Sequence, residues 1–332
     1  MLETGPHAPV TNVAQDARTL GDMFRVRARR SGDAPALYEK RGGAWEKISW
    51  RGFYQRAASV LRGLRDLGLA SGDRVAILGD TKVPWGVYDL GAQLGGFVSL
   101  GVYPKQSVEQ VRYILEHSDT RVIFVDNEAE ATTVIEASAG LEELLAIVPW
   151  SEALYTRLAD ADPRVTSPAR FAGEPLDEDA LDASLASVDP DATAILVYTS
   201  GTTGPPKGAM ITHRNILSLL SGQNDYLTFY QDDISLSFLP MAHSAERILA
   251  FYGRVSTGVA TAYATSTATV LDELKEVEPT LFGSVPRIFE KAHAKAYSEL
   301  GKKPAIVQKI AAWAVKVGTA RVELELAHKP VP

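Results

Sequence analysis

Tyr198-Thr199-Ser200-Gly201-Thr202-Thr203-Gly204-Pro205-Pro206-Lys207-Gly208 follows directly on the apolar run Ala194-Ile195-Leu196-Val197. The run reads as a buried strand, and Thr212 is placed to cap a helix starting near His213, so the sequence predicts a loop between strand and helix. Glycine lets backbone N–H groups approach phosphate oxygens that a Cβ would keep away. Thr199, Ser200, Thr202 and Thr203 add hydroxyl donors, and Lys207 adds a fixed positive charge. The stretch therefore reads as a phosphate cradle. In the common nucleotide loop a Ser or Thr that holds magnesium follows the lysine, whereas here Gly208 does, so a P-loop NTPase is the weaker fit. A metal-holding hydroxyl must then precede the lysine, and Thr199 is the first choice. The plainer alternative is a flexible linker, which is not expected between a buried strand and a capped helix.

Upstream of the cradle the chain alternates strand and helix signals. Leu20 to Arg30 reads as a helix with Leu20, Met23, Phe24 and Val26 as its apolar positions. Ala36–Lys40 and Trp45–Ser49 read as strands about Arg41-Gly42-Gly43, a hairpin signal. A helix from Trp50 to Leu67 carries Phe53, Ala57, Val60, Leu61 and Leu64 at helical spacing. Arg74–Leu78 is a short strand, the Gly-rich 80–101 segment holds a tightly packed helix, and Ser107 with Gln110 forms a capping box for a helix to His117. Strands follow at Arg121–Val125 and Leu145–Val148. The alternation indicates an α/β fold with mostly parallel sheets covered on both faces. Sequence 151–190 turns acidic and Pro-containing, with a helix Glu178–Ala186 capped by Asp177. A first region, 1–190, ending in this connector, is thus set apart from 191–332. In the latter, helices are expected at His213–Leu220, Arg247–Arg254, Leu271–Val277 and Arg287–Leu300. Strands are expected at Ile234–Leu239, Ala260–Ala264 and Leu281–Ser284. The last helix, 304–326, is apolar through Ile306, Ile310, Trp313 and Val317. Exposed, that stripe would promote self-association into a homo-oligomer.

With 332 residues, 45% of them hydrophobic, the chain can bury a large core. Its net charge of −7 argues against a general nucleic-acid surface. The chain has no cysteine, which excludes disulfides and thiolate chemistry and fits a reducing, cytoplasmic setting. Neither a signal peptide nor an unbroken apolar span is visible, so no transmembrane segment is expected. Peripheral contact with the cytoplasmic side of a membrane stays open.

A second constellation, Phe238-Leu239-Pro240-Met241-Ala242-His243-Ser244-Ala245-Glu246-Arg247, follows a strand and opens a helix. By itself His243 reads as a structural histidine, and Glu246 beside Arg247 as an ion pair. The other histidines have no spacing that suggests a zinc site.

The cradle closely resembles the signature loop of the adenylate-forming superfamily, which contains acyl-CoA synthetases, luciferases and peptide-synthetase adenylation domains. The Phe238–Arg247 stretch looks like the acyl-site segment of long-chain fatty acyl-CoA synthetases. Gly283-Ser284-Val285-Pro286-Arg287-Ile288-Phe289-Glu290-Lys291 and Gly101-Val102-Tyr103-Pro104 are similar to further parts of that subgroup or superfamily. The resemblance implies a layered αβαβα N-terminal domain and activation of a long-chain fatty acid with ATP and magnesium, with CoA as co-substrate. It implies that Tyr198, Thr199, Ser200, Gly201, Thr202, Thr203, Gly204, Lys207 and Gly208 bind ATP, with Lys207 acting in catalysis and Thr199 at the metal. By the same resemblance His243 is a catalytic or orienting group at the acyl site, flanked by Glu246 and Arg247. The family's later ribose, adenine and hinge motifs do not occur, so the chain reads as an N-terminal portion without the C-terminal domain, incomplete for the full reaction. Two other readings stand beside it: a non-catalytic nucleotide- or acyl-binding module, and an adenylating enzyme for an aryl or amino acid.

Overall fold

The computed structural model describes residues 2–199 and 204–329. Two compact units divide the chain, Met1–Phe282 and Gly283–Pro332.

In the first unit, Thr19 caps helix α1 (Leu20–Ser31), which buries Leu20, Met23 and Phe24 while Val26 is only partly buried. Strands β1 (Pro35–Arg41) and β2 (Ala44–Ser49) form the expected hairpin. Gly42 and Gly43 sit at φ of 54° and 86°, a pair of positive values that a two-residue turn of this kind requires. Ser49 caps α2 (Trp50–Asp66), and β3 (Arg74–Leu78) and α3 (Val83–Leu94) follow. Next come β4 (Val98–Val102), α4 (Val108–His117) with its Ser107/Gln110 capping box, β5 (Thr120–Val125) and α5 (Glu128–Ala137). The acidic segment carries α6 (Glu152–Leu158) and α7 (Glu178–Ala186), capped by Asp177, and links β6 (Ala146–Pro149) to β7 (Thr193–Thr199) within one sheet.

After the cradle the path departs from the expected one. Lys207–Thr212 is a strand, β8, antiparallel to β7, so the loop closes a hairpin rather than passing from strand to helix. Thr212 still caps a helix, α8 (His213–Ser221), through a capping box with Asn215. Strand β9 (Ile234–Ser237) leads to a π-helix, Ala245–Tyr252, which continues as α9 (Gly253–Thr257). Strand β10 (Ala260–Tyr263) and α10 (Val270–Val277) complete the regular elements of this unit. Leu281–Ser284 does not form the expected strand; Leu281 makes a single bridge to Ser235.

Strands order as β6-β5-β3-β4-β7-β8 in one sheet and β2-β1-β10-β9 in the other. Pairing is parallel except at β7/β8 and β1/β2. The period-2 alternation of a strand sends Val75, Ile77, Val122 and Phe124 into one core and Ala76, Leu78, Ile123 and Val125 into another. Helix α3 packs against β1 of one sheet and β3 and β4 of the other, so it fills the layer between them. The outer core is closed by α4, α5 and α6. These layers are the expected α/β arrangement.

The second unit is a pair of helices, α11 (Pro286–Gly301) and α12 (Ala305–Leu326), with no buried residue. Ile306, Ile310, Trp313 and Val317 are 67%, 58%, 65% and 50% exposed, so the apolar stripe read from the sequence is uncovered. No helix among the described residues is long and apolar enough to cross a membrane.

Candidate functional site

The β7/β8 ladder sets Thr199 opposite Lys207 and Tyr198 opposite Gly208. Both Thr199 and Lys207 are exposed at the mouth of the hairpin. Gly204 takes φ 86°, a conformation that favours glycine. Ser200, Gly201, Thr202 and Thr203 lie outside the described residues. Among the described residues Lys207 makes no ion pair. Tyr198 differs from its neighbours: its ring is buried in the outer core, and its hydroxyl lies 2.9 Å from His117 Nδ1. Burial raises the phenol above its ordinary pKa, which keeps it a hydrogen-bond donor.

His213, the first residue of α8, is fully buried, and its Nδ1 accepts from Leu20 N–H at 3.2 Å, satisfying a donor at the start of α1. Burial lowers its pKa to about 4. The unfolded chain, with a histidine pKa of about 6.5, therefore takes up a proton first as pH falls. Stability from neutral His213 is complete above that value and is lost towards pH 4, on the order of 3 kcal/mol in all. His213→Asn is expected to flatten this part of the profile relative to the parent, measured by urea denaturation at pH 7 and 5. Identical pH slopes in the two proteins would contradict the assignment.

His243 sits exposed in the turn between β9 and the π-helix. Its N–H donates to Pro240 O at 2.9 Å, its Nδ1 accepts from Ala245 N–H at 3.1 Å, and its carbonyl accepts from Arg247 N–H at 3.0 Å. Glu246 and Arg247 do not pair with each other as the sequence reading expects. Glu246 instead pairs with Arg254 at 2.7 Å and accepts from Ser237 Oγ at 2.6 Å. Arg247 pairs with Asp89 on α3, contacts Ser99 Oγ on β4, and lies 5.0 Å from the Trp85 ring centroid. The Tyr252 hydroxyl donates to the other Asp89 oxygen at 2.6 Å.

The π-helix explains this arrangement. Its i→i+5 hydrogen bonding brings residues five apart onto one side, so Arg247 and Tyr252 both reach Asp89. Burial by itself would lower the Arg247 pKa, but Asp89 and Tyr252 hold it above the ordinary value. Glu246 and Arg247 are thus core groups in contact with protein atoms, and of the two it is Arg247 that bonds the His243 turn, through its backbone N–H.

The C-terminal ends of parallel strands from both sheets converge on a cavity of about 300 Å³ lined by Asp80, Thr81, Lys105, Phe238, Pro240 and Thr265, among others. Ligands in open α/β sheets bind at such strand ends. Thr81, not singled out from the sequence, ties this cavity to the His243 turn. Its Oγ1 donates to Leu239 O at 2.6 Å and accepts from Met241 N–H at 3.1 Å. At Gly101 on β4 a Cβ would lie 2.6 Å from Ala242 Cα, so glycine there permits the turn's close approach. A larger groove of about 1060 Å³, between α2, α3 and residues 150–175, contains none of the site residues named above. No group of three or more His, Cys, Asp or Glu among the described residues could hold a metal ion.

The chain is 30% identical over 309 residues to long-chain-fatty-acid–CoA ligase ACSBG2 of Xenopus laevis, covering 90% of this chain and 41% of that ligase. It is 31% identical over 313 residues to long-chain-fatty-acid–CoA ligase ACSBG1 of Bos taurus, covering 92% of this chain and 43% of that ligase. The chain thus spans less than half the length of these curated relatives. Among solved structures, the adenylation domain of a carboxylate reductase from Mycobacterium chelonae superposes with a TM-score of 0.74 at 23% identity, over 91% of this chain and 53% of that one. The N-terminal domain of FACL13 from Mycobacterium tuberculosis superposes with a TM-score of 0.66 at 24% identity, over 82% and 64%. These two likenesses establish the fold. The model of the AMP-binding enzyme family matches residues 24–326, from the first helix through the last, and this chain belongs to that family.

Proposed function

We propose that this chain carries the phosphate-binding and acyl-side portion of an enzyme that activates a long-chain fatty acid with ATP, forming acyl-adenylate and then acyl-CoA. The observation that carries the reading is the hairpin mouth, where Lys207 faces Thr199 and has no carboxylate partner among the described residues. An exposed ammonium beside a hydroxyl and a glycine at positive φ fits an anionic polyphosphate. Magnesium would sit with Thr199 as its protein ligand and phosphate oxygens as the rest, supplying charge neutralisation when bound.

In the first step a carboxylate oxygen attacks the α-phosphorus of ATP and pyrophosphate leaves. Lys207 and the backbone N–H groups of the loop hold the departing β- and γ-phosphates and stabilise their growing charge. In the second, CoA thiolate attacks the acyl carbon and AMP leaves. His243, exposed on a turn fixed by Pro240, Ala245 and Arg247, orients the acyl carboxylate. Its Nδ1 is occupied by the Ala245 N–H, so Nε2 is the nitrogen that faces outward with a proton to donate.

Carboxylate-dependent exchange of pyrophosphate into ATP tests the reading across a panel of long-chain fatty, aryl and amino acids. Exchange strongest with fatty acids is expected. Preference for an aryl or amino acid would contradict the substrate class, and ATP binding without exchange would favour a binding module.

A further inference from the structure

Two rings from outside the loop close on its two ends. Helix α4 presents Tyr113 and His117 one turn apart, their rings stacked at 5.2 Å between centroids and 25° between planes. Tyr113 Oη donates to the carbonyl of Pro206 at 3.0 Å, next to Lys207. His117 Nδ1 takes the hydroxyl of Tyr198 at 2.9 Å, next to Thr199, and the two rings meet edge-on at 5.8 Å. Across the ladder, a Cβ at Gly208 would lie 3.2 Å from the Tyr198 ring, so β8 lies close over that ring. One helix therefore holds the penultimate residue of β7 and the residue just before β8 through separate hydrogen bonds.

We propose that Tyr113 and His117 are positioning residues for phosphate binding, a bracket that fixes the spacing between Thr199 and Lys207. The assignment rests on the proposed ATP reading for its purpose, but the bracket itself is testable without ATP. Neither side chain faces the hairpin mouth: Tyr113 reaches a backbone carbonyl and His117 reaches a buried phenol. Their contribution is to fix Tyr198 and Pro206, at the two ends of the loop, before the ligand binds.

The test uses the intact chain with Tyr113→Phe, which deletes one hydroxyl and keeps the stack, and with His117→Ala and His117→Asn. Asparagine offers an acceptor at the position of Nδ1, so it is expected to recover most of what alanine loses. Tyr226→Phe, at a tyrosine 89% exposed, serves as control. Amide hydrogen exchange at Lys207–Ala209 without ligand is expected to rise in Tyr113→Phe and His117→Ala and to stay at the parental rate in the control. ATP affinity, by calorimetry, is expected to fall between about 2- and 10-fold in Tyr113→Phe, the range for one lost neutral hydrogen bond. Parental exchange in Tyr113→Phe would overturn the bracket whether or not ATP binds. Raised exchange in a protein whose ATP affinity matches the parent's would overturn its role in phosphate binding. Raised exchange in Tyr113→Phe, beside a parent that binds no ATP, would uphold the bracket and sink the ATP reading instead.

Discussion

Lys207→Ala is expected to slow fatty-acid-dependent adenylation by about 10²- to 10³-fold, because one preorganised donor to a developing charge contributes ~2.7–4 kcal/mol. The ammonium's position makes this a catalytic effect rather than one of stability. Lys207 is exposed at the first residue of β8 and pairs with no carboxylate among the described residues, so its removal leaves no buried charge behind. Thermal stability should therefore stay within the ~0.5 kcal/mol typical of surface substitutions. Lys207→Arg keeps the charge but changes its shape and reach, and it is expected to restore only part of the rate. Rapid-quench measurement of pyrophosphate release checks the two rates, and thermal denaturation checks the stability. A Lys207→Ala protein that releases pyrophosphate at the parental rate would remove the lysine from the mechanism.

The second large effect is on folding. Asp89 and Arg247 are fully buried, and Tyr252, Ser99 and Gln93 extend the network to the carbonyl of Ala194 in β7. Arg247→Ala leaves the Asp89 carboxylate in the core without its counter-ion, a change that typically costs about 3–5 kcal/mol. For a unit of this size that corresponds to a drop in Tm on the order of 10 °C. Asp89→Leu combined with Arg247→Met removes both charges and fills the space, and it is expected to recover much of the loss. Recovery in the double variant separates an uncompensated charge from lost volume as the cause. An Arg247→Ala protein that melts with the parent would show that the pair contributes nothing. Because Arg247 N–H bonds the His243 carbonyl, the double variant also reports whether the network matters to the His243 turn beyond stability.

The features legible in the sequence are those with local causes. Ser107 and Gln110, Asp177, Thr212 and the Gly42-Gly43 pair each mark a boundary through hydrogen bonds or φ values set within a few residues. What escaped is decided at a distance. Strand β8 exists because Lys207–Thr212 can pair with the open edge of β7, a choice the cap at Thr212 does not reveal. Strand β4 was hidden in a Gly-rich stretch, since Ser99 serves the Asp89 network and Gly101 makes room for Ala242. Helix α5 was missed because its Ala, Thr and Glu residues give a weak apolar stripe. The adjacent Glu246 and Arg247 read as a pair, yet their partners are Arg254, eight residues on, and Asp89, 158 residues back. A 3.6-residue period could not show that Arg247 and Tyr252 share a face, which needs the π-helix. At the site, the cradle's chemistry was readable from its residue types, but Tyr198 belongs to the outer core. The contacts of Tyr113 and His117 with the loop ends span 93 and 81 residues.

Calorimetric titration of this chain with ATP in the presence of magnesium, beside the Lys207→Ala protein, tests the central claim most directly. The expected result is one saturable site whose affinity falls in the variant while both proteins melt together. Equal affinity in the two proteins, or heat from neither, would contradict the assignment of the Thr199–Gly208 hairpin to the phosphates of ATP.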